Sequence, residues 1–386
     1  MSSDFIPFHI PDIGEEEIRS VVATLRSGWL TTGLKAKEFE ERFAAYIGCP
    51  HAVAVNSGTA ALHLALEAAG VQAGDEVIVP TMTFTATAEV VTYLGARPVL
   101  VDCQADTLNI DPHAVEKAIG PKTRAVMPVD FGGQPCELEK IGQIARERKL
   151  AVIEDAAHAL PARYKGQMIG TLGDVTCFSF YATKTMTTGE GGMATTANPE
   201  WAKRMRMMSL HGISKDAWKR YTASGSWYYE VESPGYKYNL TDIAAALGIV
   251  QLGRAEEFHL ARRRIAGLYD RGFADLPEVH RLAVRPDVQH AWHLYVIQLE
   301  LERLRIGRDE FIDVLKKKNI GTSVHFIPLH LHPYYRRVWG YTASDCPTAT
   351  AAFARTISLP IFPGMGDDRV ERVIEGVRNV VGEYRR

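Results

Sequence analysis

Three places in this chain of 386 residues combine residue types that could do chemistry together. Lys184 follows a β-rich run at residues 173–183 and precedes the glycine-rich turn Thr188-Gly189-Glu190-Gly191-Gly192. A lysine confined there loses solvent, and desolvation with nearby cations lowers its pKa until the neutral amine can attack an aldehyde. Asp155 ends the run Leu150-Ala151-Val152-Ile153-Glu154, which reads as a buried parallel strand. The carboxyl end of such a strand faces the ligand crevice of an open α/β sheet, where an acid can keep a pyridine nitrogen protonated. Ser57-Gly58-Thr59 lies between an apolar strand at 51–56 and a helical run at 60–66. A small-residue turn at a helix N-terminus offers free N–H groups, hydroxyls and the positive dipole end to a phosphate dianion. An amine for an aldehyde, an acid for a pyridine and a cradle for a phosphate are together what pyridoxal 5'-phosphate requires.

Each place, taken singly, has a plainer reading. Most lysines are solvated surface charges, an aspartate where a strand meets a helix is often an N-cap, and Ser-Gly-Thr is a common capping arrangement.

Further motifs carry a family resemblance. Asn56-Ser57-Gly58-Thr59-Ala60-Ala61-Leu62, the stretch from Glu76 to Phe84, Glu154-Asp155-Ala156-Ala157-His158, and Ser179-Phe180 leading to Lys184 occur in order. With Gly28-Trp29-Leu30-Thr31-Thr32-Gly33 near one end and Leu359-Pro360-Ile361-Phe362-Pro363 near the other, the chain resembles the DegT/DnrJ/StrS family of sugar aminotransferases almost throughout. The implied fold is the α/β fold type I of pyridoxal phosphate transferases: a large domain with a mostly parallel mixed sheet, plus a small α+β C-terminal domain. The resemblance makes Lys184 the residue that bonds the cofactor aldehyde and Asp155 the partner of the pyridine nitrogen, both catalytic. Ser57, Gly58, Thr59 and Ser179 then hold the phosphate. Phe84 stacks on one face of the ring, and His158 closes the other side or orients Asp155. For Phe84 the alternative is a core phenylalanine, for His158 a satisfied core histidine.

One segment departs from the common family pattern. Many relatives read Gly-Tyr-Asn-Tyr ahead of a Thr/Ser-Asp helix start, and that asparagine reaches the phosphate of the neighbouring subunit. Here the stretch is Gly235-Tyr236-Lys237-Tyr238-Asn239-Leu240-Thr241-Asp242. Either Lys237 or Asn239 is expected in that role, within a homodimer whose active sites are shared. His325, Lys237 and His211 are the expected substrate contacts. This segment, with His290-Ala291-Trp292-His293-Leu294-Tyr295, is similar to the branch that makes UDP-4-amino-4-deoxy-L-arabinose. The run at 325–335 instead resembles relatives that aminate 4-keto-6-deoxy N-acetylhexoses. The resemblance implies L-glutamate as donor, 2-oxoglutarate as by-product and a nucleotide-linked 4-keto sugar as acceptor, for surface polysaccharide, lipid A or glycan synthesis. Amination at C3, dehydration and a non-catalytic cofactor-binding regulator are the alternatives. Dehydrating relatives carry histidine in place of Lys184, and no helix pair with a basic face reads as a DNA-binding element.

These residues need a scaffold, and the pattern supplies one. Short β-branched runs at 53–55, 77–79, 99–101, 125–129 and 151–153 alternate with amphipathic stretches, the signature of βαβ units and a mostly parallel sheet. A helical stretch at 241–275 is expected to bridge to the second domain, with Arg262, Arg263 and Arg264 on a solvated or interfacial face. A strand at 293–299, a helix at 308–318, a strand at 321–326 and a helix at 367–382 read as the small domain, so the division falls near residue 250, giving 1–250 and 251–386. The aromatic-rich connection at 211–235 is a lid or a loop.

Composition narrows the class. A formal net charge of −2 offers no basic field for nucleic acid or anionic membrane. The start lacks a signal-peptide pattern and no apolar run approaches the roughly 20 residues of a membrane span, so a cytoplasmic protein is expected. Five scattered cysteines without a C-x-x-C spacing read as reduced thiols. His330-Leu331-His332 lacks a completing carboxylate or thiol, and no metal site is expected.

Overall fold

The computed structural model describes residues 5–213 and 228–386. Its strands are β1 (His51–Val55), β2 (Glu76–Pro80), β3 (Arg97–Val101), β4 (Thr123–Val126), β5 (Ala151–Asp155), β6 (Arg163–Tyr164), β7 (Gln167–Met168), β8 (Val175–Ser179), β9 (Gly192–Thr196), β10 (Val279–Arg281), β11 (Val288–Gln289), β12 (Tyr295–Leu299) and β13 (Thr356–Leu359). The helices are α1 (Glu15–Ser27), α2 (Leu34–Ile47), α3 (Gly58–Ala68), α4 (Ala86–Tyr93), α5 (Pro112–Ala118), α6 (Leu138–Arg148), α7 (Pro199–Met208), α8 (Asp242–Gly253), α9 (Ala255–Gly272), α10 (Arg308–Lys317), α11 (Pro333–Trp339), α12 (Pro347–Phe353) and α13 (Asp367–Tyr384).

A seven-stranded sheet in the order β1-β9-β8-β5-β4-β2-β3 is the frame. Its pairs are parallel except where β9 runs antiparallel between β1 and β8. β1, β2 and β5 are buried at four of their five positions, as expected of strands covered on both faces. Helix α3 is apolar all round its middle, with every residue from Ala60 to Leu66 buried, so it is a core helix against the sheet. Because β1, β2, β4, β5 and β8 point the same way, the residues that follow them gather at one edge of the sheet.

A second sheet, β10-β12-β13, is antiparallel and shares an apolar cluster with α9, α10 and α13. On α13, Val370, Val373, Val377 and Val380 recur at helical spacing on the buried face. Ile6, far away in sequence, joins the same cluster and bridges to Ile320. In the opposite sense Leu329 and Tyr335 pack on the cluster of the large sheet.

Three sequence expectations need correction. The stretch 321–326 is not a strand; Ser323 alone bridges to Ser358 before the chain turns off. The long helix expected at 241–275 is two helices broken at Arg254, whose guanidinium is drawn to Asp12 (2.8 Å) and Glu17 (3.0 Å). Arg262 is fully buried rather than solvated, because its Nη1 donates to the carbonyls of Trp292, His293 and Ile361 at 2.9–3.3 Å. Among the described residues no helix is long and apolar enough to cross a membrane.

Candidate active site

Asp155 is the last residue of β5 and is 5 % exposed. Its Oδ2 accepts from the Thr87 hydroxyl at 2.8 Å and its Oδ1 from Ala157 N–H at 3.1 Å. The chain after Asp155 turns without forming a helix, which removes the N-cap alternative. Burial pushes the carboxyl above its ordinary pKa, while the bonds from Thr87 and Ala157 and the Lys184 charge pull the other way. Lys184 stands in the turn after β8, its N–H bonded to Tyr181 O at 2.9 Å. Half-buried by surface but walled in by protein, its amine is lowered to about 8 by desolvation, with Asp155 opposing.

The phosphate end is built on glycines. The Ser57 hydroxyl accepts from Ala60 N–H at 3.0 Å and caps α3. Gly58 and Thr59, in the first turn, then present N–H groups that have no intrahelical acceptor. Ser179, at the end of β8, lies against this turn. A Cβ added at Gly58 would come within 3.0 Å of Ser179 Cβ and 3.4 Å of its Oγ, and one at Gly192 would lie 2.4 Å from Ser57 O. The glycines let Ser57, Gly58 and Ser179 pack closely, which brings the N–H groups of the first turn and a hydroxyl together in an arrangement that suits a phosphate.

Phe84 is 59 % exposed, so the core alternative fails. Its ring lies 6.0 Å from Phe326, which stacks on His158 at 5.8 Å with 20° between planes. His158 is buried, accepts from Gly132 N–H at its Nδ1 (3.3 Å) and lies 4.4 Å from the His293 ring. His325 shares a 2.8 Å bond with Ser358 through its Nδ1 and stacks on Phe8. Burial first, and the Lys184 charge second, hold His158 well below and bring His325 to about 4. Both rings are therefore neutral near pH 7.

Asn239, Lys237 and His211 stand apart from this group. The Lys237 ammonium donates to Asn239 Oδ1 at 2.7 Å, and Asn239 Nδ2 donates to the Thr32 hydroxyl at 2.7 Å, so both ends of the Asn239 amide are engaged within the subunit. His211 is exposed, its N–H bonded to Tyr236 O, and its ring makes no hydrogen bond or ring contact among the described residues. The central part of the aromatic connection, with Trp218 and Trp227, lies outside the described residues. His330 is bonded to Thr81 through Nδ1 and to Thr350 through Nε2, and among the described residues no group of three or more His, Cys, Asp or Glu could hold a metal.

Several residues of the site escaped sequence reasoning. Thr87 faces Asp155 from α4, and the spacing Thr83-x-x-x-Thr87 at a helix start was its only local sign. His9 is carried in by the N-terminal segment, packs on Phe362 and is lowered to about 3 by burial, then by Arg262. His293 is likewise held well below its ordinary value by burial, then by His158 and Lys184. Next to Asp155 lie two fully buried acids, Asp130 and Glu154, whose carboxyl groups face each other.

A large mostly parallel sheet, a lysine of lowered pKa, a buried acid at a strand end and free N–H groups with a serine at a helix start together define a pyridoxal phosphate enzyme of fold type I. The comparisons give the particular family. Residues 11–378 match the DegT/DnrJ/EryC1/StrS aminotransferase family, and the chain belongs to it. It is 52 % identical over 378 residues to the spore coat polysaccharide biosynthesis protein SpsC of Bacillus subtilis, covering 98 % of this chain and 97 % of that one. Spr1654 from Streptococcus pneumoniae, assigned as a sugar aminotransferase, matches in its PMP form with a TM-score of 0.92 and 41 % identity over 98 % of this chain and 99 % of that one. Its PLP form matches with a TM-score of 0.91 and 40 % identity over the same shares. Helicobacter pylori PseC, an aminotransferase involved in the biosynthesis of pseudoaminic acid, gives a TM-score of 0.92 at 28 % identity, covering 99 % of this chain and 100 % of that one. The chain is thus an aminotransferase, and its cofactor is pyridoxal phosphate.

Proposed function

We propose that this aminotransferase moves the amino group of L-glutamate to a nucleotide-linked 4-keto sugar, UDP-linked in the first instance, giving a 4-amino sugar for a surface polysaccharide, lipid A or glycan. One observation carries the reading: the lowered-pKa amine of Lys184 lies beside the buried Asp155, in a mouth walled by Phe84, Phe326 and neutral imidazoles. Exposed aromatic faces suit a sugar ring. The polysaccharide and sugar roles of SpsC, Spr1654 and PseC support the same substrate class.

When bound, pyridoxal phosphate supplies an aldehyde carbon for the lysine and a ring that takes up electrons. Gly58, Thr59 and Ser179 hold the phosphate, and Phe84 and His158 flank the ring. Asp155, oriented by Thr87 and Ala157, keeps the ring nitrogen protonated. Lys184 moves a proton between the Cα of the donor and C4′ of the cofactor, in one direction for glutamate and in reverse for the sugar. A pKa of about 8 leaves enough neutral amine near neutral pH for that work. The lowered pKa values of His158 and His325 make both rings weak bases, so the more basic Lys184 amine carries the proton. Purified enzyme supplied with glutamate and a panel of UDP-, GDP- and dTDP-linked keto sugars should form 2-oxoglutarate and amino sugar together. No 2-oxoglutarate with any acceptor would sink the reading.

A homodimer with shared sites belongs to the same proposal, with the segment of Lys237 and Asn239 reaching the partner's phosphate. The exposed apolar side chains of Ile18, Leu25, Leu30 and Leu34 near that segment support a buried face. A division near residue 250 is part of the same proposal; the helix break at Arg254 is in line with it, and Ile6 and Leu329 pack across it.

A further inference from the structure

The turn Trp29–Gly33 is fastened at an unusual density. The Asp242 carboxylate accepts from Gly33 N–H (2.7 Å) and Ala36 N–H (2.9 Å) through Oδ1 and from Lys35 N–H (3.1 Å) through Oδ2. In return, Asp242 N–H donates to Thr31 O at 3.2 Å. Asp242 lies in the first turn of α8 and is 3 % exposed, yet its carboxylate serves the N-terminus of α2, more than 200 residues earlier in the chain. A charged acceptor for three first-turn donors of another helix is a strong tie, because it satisfies those N–H groups and meets the positive dipole end together. Gly33 leaves no alternative geometry there: an added Cβ would lie 2.1 Å from Trp29 Nε1 and 2.8 Å from Asp242 Oδ2.

The tie continues toward the phosphate cradle. Thr32 donates from its hydroxyl to Leu240 O at 2.5 Å and receives Asn239 Nδ2 at 2.7 Å. Asn239 in turn orients the Lys237 ammonium, 2.7 Å from its Oδ1. The same segment lies along the end of β1: Asn239 bridges to Val55, Asn56 N–H donates to Tyr238 O at 2.7 Å, and Asn56 Nδ2 donates to Lys237 O at 3.3 Å. Asn56 is the residue directly before Ser57-Gly58-Thr59. Asp242 thus holds Gly33, whose chain neighbour Thr32 is bonded to Leu240 and Asn239, while the neighbouring Tyr238 and Lys237 carbonyls hold Asn56, the residue before the cradle.

We propose that Asp242 is a positioning residue for the phosphate end of the site. By holding the Trp29–Gly33 turn against residues 237–240, it fixes the direction of Asn239 and Lys237 and, through Asn56, the placement of the first turn of α3. The inference rests on the reading of that turn as the phosphate cradle.

Four variants of the full chain test it, each assayed for the dissociation constant of pyridoxal phosphate and for the melting temperature without cofactor. Asp242→Ala should weaken cofactor binding about tenfold or more. Asp242→Asn should fall between, because its amide oxygen still accepts from Gly33 and Ala36. Thr32→Val cuts the link to Leu240 and Asn239 without touching the cap of α2, so it should weaken binding by about fivefold while lowering the melting temperature by no more than about a few degrees. Thr241→Ala removes only the α8 cap bond to Ala244 N–H, so it should lower the melting temperature by about a few degrees and leave affinity alone. Thr32→Val binding within about twofold of wild type overturns the proposal, whatever Asp242→Ala does to folding. Affinity that merely follows melting temperature across the four overturns it as well. Unchanged affinity in Gly58→Ala would sink the underlying reading of the turn instead.

Discussion

The hydroxyl of Thr87 and the carboxylate of Asp155 are joined by a 2.8 Å hydrogen bond between residues 68 positions apart in the chain. Thr87 is fully buried and also shares a 2.7 Å bond with Thr83, so the carboxylate is aimed by a side chain that is itself held. This makes Thr87 the support of the acid. Thr87→Val should lower kcat about tenfold and stability by about 1–3 kcal/mol, since shape is kept but the bonds to Asp155 and Thr83 are lost. Asp155→Asn should lower it by about a thousandfold or more, because an amide cannot balance a protonated ring nitrogen. Steady-state kinetics of the two variants at saturating cofactor checks both expectations. Equal losses would mean that Thr87 has a role beyond orientation.

The cradle is tested by filling it. Gly58→Ala puts a methyl group 3.0 Å from Ser179 Cβ, so this variant should fold and yet bind pyridoxal phosphate at least about tenfold more weakly. Ser179→Ala removes a hydroxyl and should weaken binding by a smaller factor, about threefold to tenfold. Equilibrium dialysis gives both constants, and unchanged affinity in Gly58→Ala would mean that the phosphate sits elsewhere.

Lys184 should betray its lowered pKa in the cofactor-free protein. With a value of about 8, its amine becomes half neutral there, whereas ordinary lysines need about pH 10.4. Competitive acylation followed by peptide mapping should label Lys184 ahead of the other lysines as pH rises from 7 to 9. In the holoenzyme, borohydride should fix the cofactor to this lysine. Lys184→Ala should retain the cofactor reversibly and turn over nothing.

Asp130 and Glu154 give stability a pH dependence. Burial is the largest influence on both, raising Glu154 to about 7 and Asp130 well above its ordinary value; the Glu154 charge raises Asp130 further, while the hydrogen bonds from Thr176 and Asp130 oppose the shift of Glu154. Around them, Thr176 donates to Glu154 Oε2 at 2.7 Å and Cys136 N–H to Asp130 Oδ1 at 2.9 Å, and the Cys136 thiol is itself pushed up by burial. An acid whose folded pKa is raised binds a proton that the unfolded chain releases, so stability is full below the unfolded value. It falls as pH rises toward the folded value, by about 1.4 kcal/mol per unit for one proton. The window runs from about pH 4.5 to 7. Glu154→Gln supplies a permanent donor toward Asp130, so denaturant midpoints at pH 5 and pH 8 should differ less in this variant than in wild type. The same slope in both would assign the proton to another group.

Much of the frame was legible in the chain because it is local. Strands β1, β2, β3 and β5 follow from short β-branched runs between helical stretches, and a residue that ends a parallel strand must stand at the edge where ligands bind. Lys184, Asp155, Ser179 and Gly58 could therefore be placed from their positions beside strand ends, with no knowledge of what touches them. The helix break at Arg254 could not, because Ala, Leu and Arg continue a helical pattern across it. What breaks the pattern is the pull of Asp12 and Glu17, brought up from the other end of the chain.

Tertiary structure alone decided which side chains meet. Thr87 reaches Asp155, Arg254 reaches Glu17, and Asp242 caps α2 only once distant segments have packed. Periodicity records which face of an element is apolar, and each of these contacts is a polar pairing between separate elements, for which periodicity carries no mark. The burial of Arg262 shows the same limit. Three arginines in a row on a helix read alike in sequence, but one points inward, where Trp292, His293 and Ile361 offer carbonyls that only the folded chain assembles.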